Sequence, residues 1–333
     1  METILNLTIA IINTGGTICC KNEGKGLAPQ QLDPEVKDKL REKYSNANLD
    51  FHELSLRDSA NMDGKYWAYL ANQVQVVRRT LCNAIVIFHG TDTMAFTAAA
   101  LYFLLMNIDI PVILVGSQRP FSDDNTDAYD NVDTAILMAM SNYYGVFVAF
   151  YGKIMLGRAC TKLDSKSDNA FFSVNEEDVA KKIEGRLVFN DKYAELKIRP
   201  KYVERAFTGD EFNPDFLCFN LNPAAKNKIM ELAAIYRILV ICSFGAGGLP
   251  TMGTLLDDLA KAQNKYNTVI GIASQCTFGK VDLDIYETGK TTQRKIVYFS
   301  SGDESIEYFT LRLSYETKNE NKTGKQKKFF HRS

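Results

Sequence analysis

His89-Gly90-Thr91-Asp92-Thr93-Met94 gathers a hydroxyl, a carboxylate and backbone N–H donors into one short turn. An apolar run, Ala84-Ile85-Val86-Ile87-Phe88, precedes it and reads as a buried strand; an apolar helical run from Ala95 to Met106 follows. In open α/β sheets ligands bind at that strand edge, and N–H groups at a helix start favour anionic groups. A second turn of the same kind lies near the start of the chain, where the strand Ile9-Ala10-Ile11-Ile12 runs into Asn13-Thr14-Gly15-Gly16-Thr17-Ile18. Two such turns suggest two hydroxyls meeting at one site. Read singly, each is an ordinary Gly/Thr turn, and Thr17 and Thr91 would serve equally as helix caps.

The elements that must position these turns follow from the pattern. Asp33-Pro34 starts a helix to about Lys43, with Pro34 suited to the first turn. Phe51 to Leu56 alternates like a strand, and a helix from Asp63 or Gly64 places Trp67, Leu70, Val74 and Val77 on one face. Pro111 to Val115 is another buried strand, Ala128 to Met140 a helix, and Val146–Phe150 with Lys153–Leu156 a strand pair. This alternation predicts an α/β fold, a mostly parallel sheet flanked by helices with right-handed crossovers. The polar segment from Cys19 to Gln31, with Gly24 and Gly26, reads either as a mobile lid or as a surface connection.

The expected organisation is a larger N-terminal domain over residues 1–200, a linker over 201–215, a smaller α/β domain over 216–316 and a basic, disordered tail over 317–333. In the smaller domain a helix is expected from Ala224 to Tyr236, a strand from Ile238 to Ser243, a helix from Thr254 to Lys265, a strand from Val269 to Ser274 and a closing helix from Ile306 to Ser314. The tail carries Lys325, Lys327, Lys328 and Arg332, so a basic interaction segment is the other reading.

Bulk properties narrow the function. A length of 333 residues suffices for two domains, and a net charge of −1 supplies no overall attraction to nucleic acid or membrane. No apolar run approaches the roughly 20 residues of a membrane helix, and no signal peptide is read, because the first strand runs straight into Thr14-Gly15-Gly16-Thr17. The seven cysteines are odd in number and mostly lie in apolar stretches, which suits reduced thiols in a cytoplasm. Three histidines form no ligand pattern, and the acidic segment Asp123 to Asp127 lacks calcium-loop spacing, so no metal or cofactor is expected. Gly289-Lys290-Thr291 imitates the end of a phosphate loop, but Asp284 occupies the position of its first glycine.

Thr14-Gly15-Gly16-Thr17-Ile18 together with His89 to Met94 resembles the bacterial-type L-asparaginase family. Asp58-Ser59-Ala60-Asn61-Met62, Val115 to Pro120 and Ser274-Gln275-Cys276 with Tyr286-Glu287-Thr288-Gly289 extend the likeness, in the family's order and toward its cytosolic (type I) branch. It spans about residues 4 to 315. The resemblance implies hydrolysis of L-asparagine to L-aspartate and ammonia by a homodimer or homotetramer. It implies Thr17 as nucleophile, Thr91 and Lys162 as second hydroxyl and base-like partner, and Asp92 beside them, binding the substrate's ammonium. Ser59, with Asp58 and Gly90 alongside, would hold its carboxylate, and the N–H of Thr91 would meet the developing oxyanion.

Some positions depart from the pattern. Leu27 stands where many members carry a lid tyrosine, and Leu neither donates nor accepts a hydrogen bond. Tyr286 is the candidate replacement. Ala60, Gly248 and Pro250 stand where the periplasmic branch has Gln and Asn residues, so asparagine-versus-glutamine selectivity is open. Thr161, Phe244 and Cys276 match a regulatory asparagine site of some type I relatives. Two alternatives stay in view: an asparagine-binding regulatory protein with a weakened site, and a related glutaminase or amidotransferase subunit. The early position of Thr14 to Thr17 argues against the latter, which carries an extra N-terminal domain.

Overall fold

The computed structural model describes residues 7–22, 27–224 and 228–323. The chain divides into two compact units, Met1–Gly209 and Asp210–Ser333. In chain order the first holds β1 (Leu7–Asn13), β2 (Cys20–Asn22), β3 (Leu27–Pro29), α1 (Pro34–Lys43), β4 (Ala47–Glu53), α2 (Gly64–Arg78), β5 (Ala84–Phe88), α3 (Met94–Leu104) and β6 (Pro111–Val115). It continues with α4 (Ala128–Ala139), β7 (Gly145–Phe150), β8 (Lys153–Leu156), β9 (Cys160–Lys162), β10 (Phe171–Ser173), β11 (Ala180–Ile183) and β12 (Arg186–Phe189).

Eight of these strands form one sheet in the order β12-β11-β8-β7-β6-β5-β1-β4. From β7 to β4 all neighbours run parallel; β8, β11 and β12 close the other edge antiparallel. Every residue of β5 and β6 is buried, because a parallel strand covered on both faces has no solvent side to alternate toward. On one face Val36 and Leu40 of α1 and Val132 and Ile136 of α4 pack on Ile9, Ile11, Val86 and Ile113. In α2 and α3, which pack together, Leu70, Val74, Ala98 and Leu101 are buried. Each large aliphatic side chain so buried contributes about 1.5–3 kcal/mol of transfer free energy. From β1 the chain crosses to β4 on one side, then returns past β1 to β5 on the other. The strand order therefore reverses between β1 and β5, and a crevice opens at their carboxyl ends.

The segment after β1 departs from the open loop expected for Cys19 to Gln31. Thr17–Cys19 make one 3-10 turn, and β2 pairs antiparallel with β3, Cys20 opposite Pro29 and Asn22 opposite Leu27. Three paired positions close a hairpin without any apolar alternation to announce it. Of the segment read as a lid, residues 23–26 lie outside the described residues. At the other end of the unit, residues 201–208 are tied to α2: Arg79 pairs with Glu204 at 2.6 Å, the Gln75 side chain bonds both the N–H and the carbonyl of Arg205, and Asn72 donates to the Phe207 carbonyl.

The second unit comprises β13 (Phe216–Asn220), α5 (Ile229–Ala233), β14 (Ile238–Ser243), α6 (Leu255–Tyr266), β15 (Val269–Ser274), α7 (Glu287–Lys295), β16 (Phe299–Ser300) and α8 (Ile306–Thr323). Its four strands are parallel in the order β13-β14-β15-β16. Ile229, Leu259, Ala262 and Ile296 cover one face against Leu239, Ile241 and Ile272; Phe309 and Leu313 of α8 cover the other against Ile238, Val240 and Ala273. Two helices differ from expectation. The helix expected over 224–236 is described only as α5, from Ile229 to Ala233; residues 225–227 lie outside the described residues. α8 runs on past Ser314 to Thr323, with Arg312 and Glu316 paired one turn apart, so residues 317–323 are helical. The remaining tail, 324–333, lies outside the described residues.

Candidate active site

The two hydroxyl-bearing turns leave β1 and β5 side by side, on the two flanks of the strand-order reversal. Asn13 is in register with Phe88, and Thr14 bonds the Phe88 carbonyl through both its N–H (3.1 Å) and its hydroxyl (2.8 Å). Asn13 folds back so that its side-chain oxygen accepts from the Gly15 N–H at 2.9 Å, while its amide donates to Glu53 at 2.7 Å. Gly15 and Gly16 then take φ values of 101° and 89°, open to glycine at little cost. Gly16 also lies against Gly90: a Cβ on Gly16 would fall 2.2 Å from the Gly90 nitrogen. The residues after these glycines, Thr17 and Thr91, thus sit on turns in backbone contact. Neither hydroxyl serves as a cap. Gly16 is the N-cap of the 3-10 turn, and Thr93 that of α3, with no side-chain capping bond at either.

Lys162 completes the cluster. β9 carries it, held by antiparallel pairing with β10, where Lys162 faces Phe171. Its ammonium donates to the Thr91 hydroxyl at 2.8 Å and to an Asp92 carboxylate oxygen at 2.7 Å. Thr91 is 6% exposed and the Lys162 side chain 15%, whereas the Asp92 side chain is 70% exposed. The lysine and hydroxyl are therefore largely withdrawn from water, and Asp92 keeps an open side for a cationic group.

Ser59 also lies against Gly90. It is 3% exposed and opens a 3-10 turn capped by Asp58, whose carboxylate accepts from the Ala60 N–H at 2.9 Å. A Cβ on Gly90 would lie 2.6 Å from its hydroxyl oxygen. Thr93 donates its hydroxyl to the Ser59 carbonyl at 2.7 Å, tying this loop to the start of α3. Thr17, Ser59, Gly90, Thr91, Asp92 and Lys162 thus belong to one neighbourhood, with Asp58 at its margin.

The other residues singled out lie elsewhere or serve otherwise. Tyr286 is in the second unit, the N-cap residue of α7, with 61% of its surface exposed. Phe244 and Cys276 are also in that unit, on adjoining turns: Ser274 donates its hydroxyl to the Gly245 carbonyl and accepts from the Cys276 N–H. Phe244 lines a cleft of about 220 Å³ with Leu221, Pro250 and Met252. Thr161 is buried in β9 of the first unit. In the acidic segment, Asp127 accepts from the N–H groups of Gln118 and Arg119, so this carboxylate orders a loop. Among the described residues no group of three or more His, Cys, Asp or Glu side chains is placed to hold a metal ion, and no helix is long and apolar enough to cross a membrane.

Four contributors escape sequence reasoning: Asn13, Thr14, Thr93 and His89. Asn13 had a usable signal, an Asn directly before a strand-end turn. The His89 side chain is fully buried, and burial pushes its pKa down to about 4, so the ring is neutral. Cys20, beside the first turn, donates its thiol to the Gly16 carbonyl, and burial raises its pKa to about 11.

Residues 8–195 match the family described as Asparaginase, N-terminal. The chain is 31% identical to an L-asparaginase of Thermococcus kodakarensis over 291 residues, 85% of each chain, and the solved structure of the thermostable L-asparaginase from that organism superposes with a TM-score of 0.81 over 93% of both chains. A glutamyl-tRNA(Gln) amidotransferase component of Pyrococcus furiosus is 28% identical across 85% of this chain, which spans 66% of that relative's length. L-asparaginase I from Vibrio cholerae shares the fold, with a TM-score of 0.81 at 23% identity, over 94% of this chain and 93% of that one.

Proposed function

This chain belongs to the asparaginase family, and on that premise we propose that it hydrolyses the side-chain amide of L-asparagine to L-aspartate and ammonia. The observation that carries the reading is the Lys162 amino group bonded to both Thr91 and Asp92, whose turn is in contact with the one that bears Thr17. The Thr17 hydroxyl attacks the amide carbon while its proton passes through the Thr91 hydroxyl to Lys162, which enters the step as the neutral amine. The Thr91 N–H meets the carbonyl oxygen as it gains charge. The C–N bond breaks, the pair returns a proton to the departing nitrogen, and ammonia leaves an aspartyl ester on Thr17. Water adds to the ester carbonyl, and its collapse frees aspartate and restores the Thr17 hydroxyl. Asp92 pairs with the substrate's ammonium, and Ser59 takes its carboxylate.

Tyr286, exposed at the start of α7, stands in this reading for the tyrosine absent at Leu27, and Thr161, Phe244 and Cys276 are assigned a regulatory role. None of the seven cysteines is in a disulfide, which supports a reducing cytoplasm. A homodimer or homotetramer belongs to the same reading. The likeness to the amidotransferase component supports a second reading, release of ammonia to a partner protein.

The test is ammonia release from L-asparagine and, separately, L-glutamine. Fast release from asparagine alone supports the leading reading. Release that requires a partner protein supports the second, and asparagine binding without ammonia leaves a binding protein.

A further inference from the structure

His89 ends the central strand, its N–H bonded to the Val115 carbonyl of β6 at 2.9 Å, and its ring is fully buried. The ring nitrogen Nδ1 lies 2.7 Å from the carbonyl oxygen of the next residue, Gly90, and Nε2 has no hydrogen-bond partner among the described residues. A carbonyl only accepts, so Nδ1 carries the proton and Nε2 a bare lone pair. A charged ring would leave a second buried N–H unpaired, in keeping with the downward pKa shift from burial.

The Gly90 carbonyl and the Thr91 N–H belong to one peptide unit. That unit is trans, so the two groups point in opposite directions. Whatever holds the carbonyl therefore sets the aim of the N–H. Gly90 sits tightly between Gly16 and Ser59, so the peptide stands where the nucleophile turn and the carboxylate loop meet.

We propose that His89 is a positioning residue: its Nδ1–H holds the Gly90 carbonyl and thereby aims the Thr91 N–H at the oxyanion formed during amide hydrolysis. The inference rests on the proposed asparaginase activity. A donor aimed at developing charge acts chiefly in the transition state, so its loss lowers kcat and spares KM. Removing such a donor outright costs about 10²- to 10³-fold in kcat, and misaiming it about 10- to 100-fold.

The experiment compares His89→Leu, which fills the space without a donor, with His89→Gln, which keeps a neutral N–H donor. It also records side-chain 15N correlation spectra of the wild-type histidine. The expected result is a 10- to 100-fold loss of kcat in His89→Leu at near-normal KM, substantial recovery in His89→Gln, and a neutral ring protonated at Nδ1 between about pH 5 and 8. An Nε2-protonated ring, or a ring titrating near the ordinary value of about 6.5, overturns the proposal even if neither variant folds. Normal kcat in His89→Leu, or equal losses in both variants with KM rising alongside, also overturns it while leaving the enzyme reading intact. A wild-type chain that binds asparagine and releases no ammonia removes the hydrolysis itself, and with it any oxyanion to be met.

Discussion

Gly90→Ala tests the packing that brings the site together. Gly90 is not among the residues of positive φ, so alanine suits its backbone and only the space around it is at issue. A Cβ there would lie 2.6 Å from the Ser59 hydroxyl oxygen, 2.8 Å from the Ser59 Cβ and 3.3 Å from the Gly16 Cα. Rotating the Ser59 side chain relieves the first contact and leaves the second. Carbon atoms rest at about 3.5–4.0 Å, so the Ser59 loop must retreat by roughly 0.7 Å or more. Ser59 is buried and its carbonyl is tied to Thr93, so the retreat strains a held loop. Overpacking of this kind costs about 1–3 kcal/mol. A displacement of this order in a binding group lowers kcat/KM by about 10- to 100-fold, with KM moving more than kcat, because in the proposed reading Ser59 takes the substrate's carboxylate in ground and transition state alike. Thermal denaturation and steady-state ammonia release read the two effects. Ser59→Gly removes both clashing atoms, so in that background Gly90→Ala should lose most of its destabilisation, a coupling of about 1 kcal/mol or more. Unchanged melting and KM in Gly90→Ala, or an undiminished penalty in the Ser59→Gly background, would refute the reasoning.

Further outcomes follow from the same geometry. Lys162→Met, which removes the donor shared by Thr91 and Asp92, should lower kcat by about 10²- to 10⁴-fold in steady-state assays. The His89 pKa, about 4 when folded, lies below the ordinary 6.5, so the unfolded chain binds the extra proton first as pH falls. Its contribution to stability is complete above about pH 6.5 and fades as pH drops through 4, by roughly 3 kcal/mol in all; pH-dependent melting of His89→Gln should lack that slope. Tyr286→Phe should reduce kcat at least about tenfold if its hydroxyl supports the nucleophile, within the range of general acid–base assistance; wild-type kinetics in that variant would remove Tyr286 from the site.

Much of the frame was legible because burial on both faces leaves a plain mark. Ala84 to Phe88 and Pro111 to Val115 are unbroken apolar runs of strand length, and both are central parallel strands. Asp33-Pro34 announced α1 through chemistry local to its first turn. The shorter elements were not legible. The hairpin of β2 and β3 rests on three backbone pairs, and α5 is a five-residue helix. The site divides the same way. Thr17, Thr91 and Asp92 are singled out by the wording of their turns, and the fold brings those turns into contact. The closeness of Ser59 to Gly90 and of Gly16 to Gly90 comes from tertiary packing, which spacing along the chain does not encode. His89 stands in the quoted motif, but its type and place in the chain do not tell which carbonyl its ring holds.

The central claim is a Thr17 nucleophile served by Thr91 and Lys162. The most direct measurement is rapid-quench mass spectrometry of the chain turning over L-asparagine, with Thr17→Ala alongside. The account predicts an aspartyl adduct mapping to Thr17, and neither adduct nor ammonia from Thr17→Ala. An adduct on another residue, or undiminished ammonia release by Thr17→Ala, would contradict it.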